Sequence, residues 1–146
     1  MQIEIVATGS LSTSVRDELL ALLRTACDEE LSTSLQDIGP GLHLLGRVDG
    51  ALMPHVMIVP RALQAASIGS LHTAYIELVA TEPEAQGRGY ASTLLRESVA
   101  LMGDFDIAAL SPSAESFYAR LGWEAGADHC WCERNRRSFR RRRNKS

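Results

Sequence analysis
At 146 residues, 45% of them hydrophobic, the chain can bury about two thirds of its unfolded surface in one core, so a single domain is expected and a second is not. It carries no basic start followed by an apolar run, and no apolar stretch nears the roughly 20 residues of a membrane helix, which points away from a membrane and towards the cytoplasm. The net charge of −3 hides two unlike parts: eight of the 15 basic residues fall between Arg134 and Lys145, and the body before them holds seven basic against 18 acidic residues, or −11. A body of that sign favours cationic small molecules near its clefts, although acidic surface is also ordinary solubility chemistry.

Gln2 to Ala7 alternates apolar and polar residues and predicts a first strand. Ser12, Thr13 and Ser14 offer N-cap hydroxyls for a helix to about Glu30, with Val15, Leu19, Leu22, Leu23 and Ala26 on one face. Cys27 in that helix reads as core packing, and three cysteines without an export signal argue against a disulfide framework. Leu31 to Ile38 can form a second short helix. Gly39-Pro40-Gly41 reads as a turn and Leu42 to Val48 as a strand. Asp49-Gly50 is a two-residue hairpin signal, with Ala51 to Leu63 the antiparallel return. Pro54 and Pro60 in that return predict bulges or an edge rather than a central ladder. His43, His55 and His72 stand apart, with no pair at metal-ligand spacing, and read as structural; no metal is implied.

The most informative stretch begins at Leu71. Residues to Ala80 are rich in β-branched and aromatic side chains, as suits a buried strand, and Glu77 inside it is an anomaly, because a buried carboxylate costs several kcal/mol unless paired or functional. Pro83 breaks the pattern. Gln86-Gly87-Arg88-Gly89-Tyr90-Ala91 then leads into a helix with Ala91, Leu94, Leu95, Val99 and Met102 on one face. The first amides of a helix lack intrahelical partners and carry the positive end of its dipole, so they suit an anion. Gly87 and Gly89 let a phosphate approach and Arg88 adds charge, with a pyrophosphate the natural guest. The spacing is neither a dinucleotide-binding fingerprint nor a P-loop. Such a turn, taken alone, is more often a plain connection, and it is the flanking sequence that favours the anion site. Asp106 to Leu110 predicts a strand parallel to the central one. Ser111-Pro112-Ser113 caps a helix through Leu121, with Ala114, Phe117, Tyr118 and Leu121 on one face, and Gly122 ends it.

Gln86, Gly89 and Ala91 fit a pattern of Gln or Arg, two residues, Gly, one residue, Gly or Ala. A second element follows at 108–124, AALSPSAESFYARLGWE. With both in order, the chain resembles the GCN5-related N-acetyltransferase (GNAT) family over most of residues 1–126. Tyr-Ile-Glu-Leu-Val-Ala before the loop and Tyr-x-x-x-Gly-Trp after it look most like the aminoglycoside 2′-N-acetyltransferase branch. The resemblance implies an α+β GNAT (acyl-CoA N-acyltransferase) fold, a mixed central sheet flanked by helices, and acetyl-CoA (coenzyme A) as the cofactor. It implies that Gln86, Gly87, Arg88, Gly89, Tyr90 and Ala91 bind the pyrophosphate arm. The backbone at Leu78 and Val79 would polarise the acetyl carbonyl, and Ser111 would also contact the cofactor. Glu77 would act as general base and Tyr118 would protonate the departing thiolate. The implied reaction is acetyl transfer to a primary amine of a small cationic substrate, with aminoglycosides leading and antibiotic resistance the role that goes with them. Asp28, Glu29, Glu30 and Asp37 would be amine-contacting carboxylates, although a solvated helix end explains them as well.

The C-terminal part departs from the family. Residues 127–131 predict at most a strand stub, and 127–146 forms a divergent Arg-rich tail expected to be disordered, outside a 1–126 acetyltransferase domain. Nucleic-acid binding is not expected of it, since interleaved aromatics and a folded platform are lacking. His129, Cys130 and Cys132 offer three close ligands without a fourth, too few for a metal site. Incomplete C-terminal strands would expose a sheet edge that a second copy of the chain could cover. They also motivate a second reading, a catalytically impaired acyl-CoA-binding module or truncated remnant.

Overall fold
Alternating side chains and paired backbone groups set out seven strands among the described residues. The computed structural model describes residues 1–26, 38–65, 69–110, 115–125 and 131–134. Its elements in order are β1 (Gln2–Ala7), α1 (Thr13–Ala26), β2 (Leu42–Val48), β3 (Ala51–Ala65), β4 (Gly69–Thr81), α2 (Tyr90–Ala100), β5 (Ile107–Leu110), α3 (Glu115–Arg120), β6 (Glu124–Ala125) and β7 (Trp131–Arg134), with short 3-10 turns at Thr8–Ser10 and Pro83–Ala85. The strand order is β1-β2-β3-β4-β5-β7-β6. β1 with β2 and β2 with β3 are antiparallel, β4 with β5 is parallel, and β7 is antiparallel to both β5 and β6. This is the mixed sheet with helices expected of an α+β chain. The chain divides into two compact units, Met1–Val59 with Glu77–Ser98, and Pro60–Ile76 with the chain from Val99 onward.

In the first unit the core gathers Leu19, Leu22 and Leu23 from α1, Leu45, Leu52, Met57 and Val59 from β2 and β3, and Leu78 and Ala80 from β4. Each fully buried leucine contributes roughly 1.5–3 kcal/mol over an exposed one. The helical spacing of the α1 leucines, legible in the sequence, puts them on one face, and Ser12 starts the helix: its hydroxyl accepts the Val15 N–H at 3.2 Å and its carbonyl accepts the Arg16 N–H at 2.9 Å. At the hairpin, Asp49 and Gly50 both have positive φ, 51° and 82°, the signature of the tight turn their sequence predicts. Arg47 joins that hairpin to its surroundings, donating to Glu4 at 2.6 Å and to Glu18 at 2.9 Å. Its guanidinium holds the Glu18 carboxyl below the usual range; with both carboxylates solvent-exposed the network adds little stability.

The prolines of β3 need a correction. β3 lies between β2 and β4, so it is not an edge. Pro54 does mark a bulge: the ladder runs Leu45↔His55 and then shifts to Arg47↔Leu52. Gly46 faces the bulge, where a Cβ would stand 2.5 Å from Pro54 Cγ. A proline is accommodated in an interior strand because the irregularity relieves it of a ladder bond.

A second correction concerns the histidines. His43 and His55 do not stand apart: the antiparallel pairing of β2 with β3 brings their rings together, with Nδ1 of His43 2.9 Å from Nε2 of His55. Both are fully buried. On α2 the buried face carries Leu94, Leu95 and Ser98 rather than Val99, which is 38% exposed. Ser98 tolerates this position because its hydroxyl donates to the Leu95 carbonyl at 2.6 Å.

In the second unit β4 and β5 pair from Thr73↔Ile107 to Ile76↔Leu110. His72 N–H donates to the Asp106 carboxylate and Asp106 N–H returns a bond to the His72 carbonyl, each at 2.8 Å. The His72 ring stacks on Phe105, a structural place for this histidine. Arg61 lies over the Tyr75 ring, 5.3 Å from its centroid. A strand is present beyond the predicted stub: Trp131–Arg134 forms β7, pairing Leu110↔Trp131 through Ile107↔Arg134. β6 beside it has two residues, so the C-terminal strands are short but formed. The helix expected before Ile38, together with Cys27, Asp28, Glu29, Glu30, Asp37, Ser111, His129 and Cys130, lies outside the described residues. Among the described residues no helix is long and apolar enough to cross a membrane, and no group of three or more His, Cys, Asp or Glu is placed to hold a metal.

Burial pulls His43 down to about 4 and His55 to about 3, each helped by a nearby positive charge, Arg16 for His43 and His43 for His55. Both values lie below the ordinary 6.5, so the unfolded chain takes up protons first as pH falls. Stability is therefore full above pH 6.5 and lost on acidification, with a slope approaching about 2.7 kcal/mol per pH unit when two protons are at stake. Urea unfolding midpoints followed from about pH 7 to about pH 5 are expected to fall steeply before the carboxylates titrate. A flat profile over that range would mean that the folded pair takes up protons in step with the unfolded chain.

Candidate functional site
Alternation along β4 sorts its side chains into two sets. Ala74, Ile76, Leu78 and Ala80 are buried, whereas Tyr75, Glu77 and Val79 are partly exposed. Glu77 is thus not swallowed by the apolar run as the sequence suggests, because the period-two geometry turns it to the opposite side from its leucine neighbour. Ladder pairing with β5 ends at Ile76↔Leu110, and β4 continues to Thr81. Two residues past that last pair, Leu78 has φ +50°, a left-handed conformation rare for a large side chain and costing about 1–2 kcal/mol.

The loop after β4 is tied to β3 by one bond and otherwise built by short-range ones. Glu82 N–H donates to the Met53 carbonyl at 2.9 Å and Ala85 N–H to the Glu82 carbonyl at 2.8 Å, with the Ala85 side chain buried. Gln86 reaches back with its side-chain amide to the Thr81 carbonyl at 3.3 Å. Gly87 and Gly89 follow at φ +79° and +81°, and a Cβ built on either would meet nothing within 4 Å. The positive angles are what glycine supplies here, and the open space beside them is room for a guest. α2 begins directly afterwards: Thr93 N–H and hydroxyl both donate to the Gly89 carbonyl, at 3.0 and 2.9 Å. The amides of Tyr90, Ala91 and Ser92 therefore precede the first intrahelical bond. No acidic residue occupies this first turn, and Arg88 next to it is exposed. The donor set, a positive helix end with open glycine backbone and an adjacent guanidinium, fits a diphosphate.

In the second unit Tyr118 sits in the last turn of α3. The helix ends by a paired motif: Trp123 N–H donates to the Tyr118 carbonyl and Gly122 N–H to the Ala119 carbonyl, both at 3.1 Å, with Gly122 at φ +94°. The same turn brings the Trp123 ring edge-on to Tyr118, centroids 6.5 Å apart, while Phe117 meets it at 5.0 Å. Tyr118 is 6% exposed, and burial pushes its phenol above the ordinary tyrosine range, so the hydroxyl keeps its proton and stays a donor.

Of the residues singled out from the sequence, the structure thus gathers Glu77, Leu78, Val79 and Gln86 to Ala91 in the first unit and places Tyr118 in the second. The sequence reading missed His55, whose Nδ1 lies 2.8 Å from the Leu78 carbonyl. Only a histidine in an apolar run hinted at it; the left-handed angle at Leu78 that creates the bond leaves no trace in composition or periodicity.

Strand, open glycine loop and helix in this order, with a parallel partner strand and a short aromatic-bearing helix beyond, define an acyltransferase-type α+β fold. The chain matches the model for the acetyltransferase (GNAT) domain over residues 12–126, and it belongs to the GNAT acetyltransferase family. No curated protein matches it. Among solved structures it is similar to a GNAT family acetyltransferase from Brucella melitensis in complex with acetyl-CoA, at 17% identity and TM-score 0.68 over 92% of this chain and 88% of that one. A GNAT family N-acetyltransferase (YhbS) from Escherichia coli in complex with CoA gives 18% identity and TM-score 0.71 over 92% and 82%. The aminoglycoside 6′-N-acetyltransferase AAC(6′)-Ig from Acinetobacter haemolyticus gives 17% and 0.64 over 85% and 91%. At these identities the likeness is one of fold.

Because a Cβ at Gly89 would meet open space, its cost is conformational alone. Gly89→Ala is expected to lower stability by about 1–2 kcal/mol in urea unfolding. Gly103→Ala, at a glycine with equally open surroundings and no left-handed angle, is expected to leave stability unchanged or slightly raised. Equal effects at both positions would remove the backbone argument for the loop.

Proposed function
We propose that the protein is an acetyl-CoA-dependent N-acetyltransferase acting on a primary amine of a small cationic molecule. The observation that carries this reading is the loop of Gly87 and Gly89 opening onto α2 amides that precede the first intrahelical bond, with no acidic residue in the helix's first turn. The cofactor supplies an acyl group on a thioester; the protein binds, orients and moves protons. Gln86, Gly87, Arg88, Gly89, Tyr90 and Ala91 hold the diphosphate, and Ser111 adds a contact. The backbone at Leu78 and Val79 donates to the acyl carbonyl, an oxyanion-type contribution of about 3 kcal/mol. Glu77, partly exposed on β4, takes the ammonium proton directly or through a water. Tyr118, kept protonated by burial, donates from its hydroxyl to the departing sulfur.

The acidic body, −11 before residue 134, supports a cationic acceptor by raising its concentration near the surface. Aminoglycosides are the leading class, since they are small polyamines; the 2′-acetyltransferase branch suggested by the sequence motifs stays a proposal beside the fold-level likeness to a 6′ enzyme. A cytoplasmic setting goes with this reading. The brevity of β6 and β7 favours a second reading, a GNAT module that binds acyl-CoA without turning it over.

Release of free CoA from acetyl-CoA, assayed against a panel of aminoglycosides and linear polyamines, separates the two. Turnover with at least one amine is expected, and tight acetyl-CoA binding with none would favour the binding module. Glu77→Gln and Tyr118→Phe are each expected to lower kcat by about 10²-fold or more with little change in acetyl-CoA affinity. Unchanged turnover in Tyr118→Phe would refute its role. The alkaline limb of the wild-type profile should lie above the ordinary tyrosine value of 10.0, since a donor with a raised pKa is lost only as pH rises through that higher value.

A further inference from the structure
The buried histidine pair ends on the backbone that the proposed chemistry uses. Nδ1 of His55 lies 2.8 Å from the Leu78 carbonyl, and a carbonyl can only accept, so Nδ1 carries the hydrogen. In a neutral ring Nε2 is then an acceptor, and the atom facing it at 2.9 Å is Nδ1 of His43, which must donate. Nε2 of His43 is left as an acceptor 3.0 Å from the Thr8 hydroxyl. That hydroxyl also stands 3.1 Å from the Gly41 carbonyl, but the Thr8 N–H already serves this carbonyl at 3.0 Å, while Gly41 N–H donates to the Thr8 oxygen at 3.0 Å. With both rings neutral, the order that leaves no ring nitrogen unmatched runs Thr8 hydroxyl to His43, His43 to His55, His55 to Leu78, the Thr8 hydroxyl being shared with the Gly41 carbonyl. Depression of both rings by burial agrees with the neutral forms this order requires.

The Leu78 carbonyl and the Val79 N–H belong to one rigid peptide plane, and since this bond is trans, as are all those among the described residues, they point in opposite directions. A donor that fixes the oxygen consequently fixes the amide. Without that donor, the strained left-handed leucine would relax and swing the amide with it.

We propose that His55, oriented by His43 and Thr8, is a positioning residue that locks the Leu78–Val79 peptide plane and so aims the Val79 N–H at the acyl carbonyl of the bound thioester. This rests on the acetyl-transfer reading above. It assigns a catalytic consequence to three residues away from the reacting atoms, and it gives a role to two histidines that stand where apolar residues would fill the same core.

The test uses acetyl-CoA labelled with ¹³C at the thioester carbonyl, whose stretching frequency in the infrared falls when the oxygen accepts a hydrogen bond. In the wild type the bound frequency is expected to lie below that of free acetyl-CoA. In His55→Leu most of this shift is expected to be lost while affinity for acetyl-CoA stays within about threefold, because the diphosphate loop is intact. His55→Asn, which keeps a side-chain N–H near the Nδ1 position, is expected to regain it. A folded His55→Leu with the wild-type shift would overturn the inference alone. Wild-type protein that fails to bind acetyl-CoA would overturn the acetyl-transfer reading and the inference with it. Nitrogen-15 spectra of the wild type decide the matter independently of any variant's folding: both rings are expected neutral with hydrogen on Nδ1 at neutral pH, and hydrogen on Nε2 of His55 instead would overturn the assignment.

Discussion
A carbonyl turned into a protein interior must meet a donor, and in this chain the carbonyl is that of Leu78 and the donor is His55. The left-handed angle at Leu78 falls within β4, just beyond its last pair with β5, yet the leucine side chain still packs into the α1 leucines. Both facts hold together because the displaced backbone group is satisfied from β3. Leaving that group unsatisfied would cost about 1–3 kcal/mol in addition to the conformational strain. Much of the first unit can be understood as serving this point: the hairpin registers β3 against β2, register brings His43 to His55, and Thr8 closes the row where the chain leaves β1.

How much of this was legible in the sequence depends on whether the governing physics was local. The α1 face, the Asp49-Gly50 hairpin and the Gly122 helix end follow from side-chain spacing and turn chemistry within a few residues, and all three stand where the residues predict them. The loop of Gly87 and Gly89 before a helix was equally readable, since its φ angles and its helix start are set by those residues themselves. What was not legible arises from register between distant segments. His43 and His55 are twelve residues apart with no motif joining them, and only the antiparallel pairing makes them neighbours. Pro54 suggested either a bulge or an edge, and the choice depends on β4 covering β3, which composition cannot reveal. Ser98 replaced Val99 on the buried face of α2 because tertiary packing selected the rotation of the helix and a local hydroxyl bond made the polar residue acceptable.

The electrostatic design separates two tasks. The proposed anion site would depend on backbone amides and one exposed guanidinium, whose strength is local and set by the helix end. Attraction of a cation depends instead on the summed charge of the body, which is longer ranged and weakened by salt. The two need not interfere, because carboxylates are kept out of the first turn of α2 while being abundant elsewhere. Family membership fixes the first task more firmly than the second, since the acceptor is chosen by side chains that vary on a common scaffold.

The closing turn of α3 ties a phenol to a helix terminus. Tyr118 supplies the carbonyl that receives Trp123, and the indole so delivered becomes a wall of the hydroxyl-bearing ring's own pocket. Helix length and aromatic environment are accordingly one variable rather than two. Adding or deleting a residue between positions 118 and 122 would rotate the terminus and dismantle the pocket in a single stroke, whereas changes of residue type on the exposed side of the same turn leave it standing. Evolutionary drift in this segment should therefore proceed by substitution, with its length held constant.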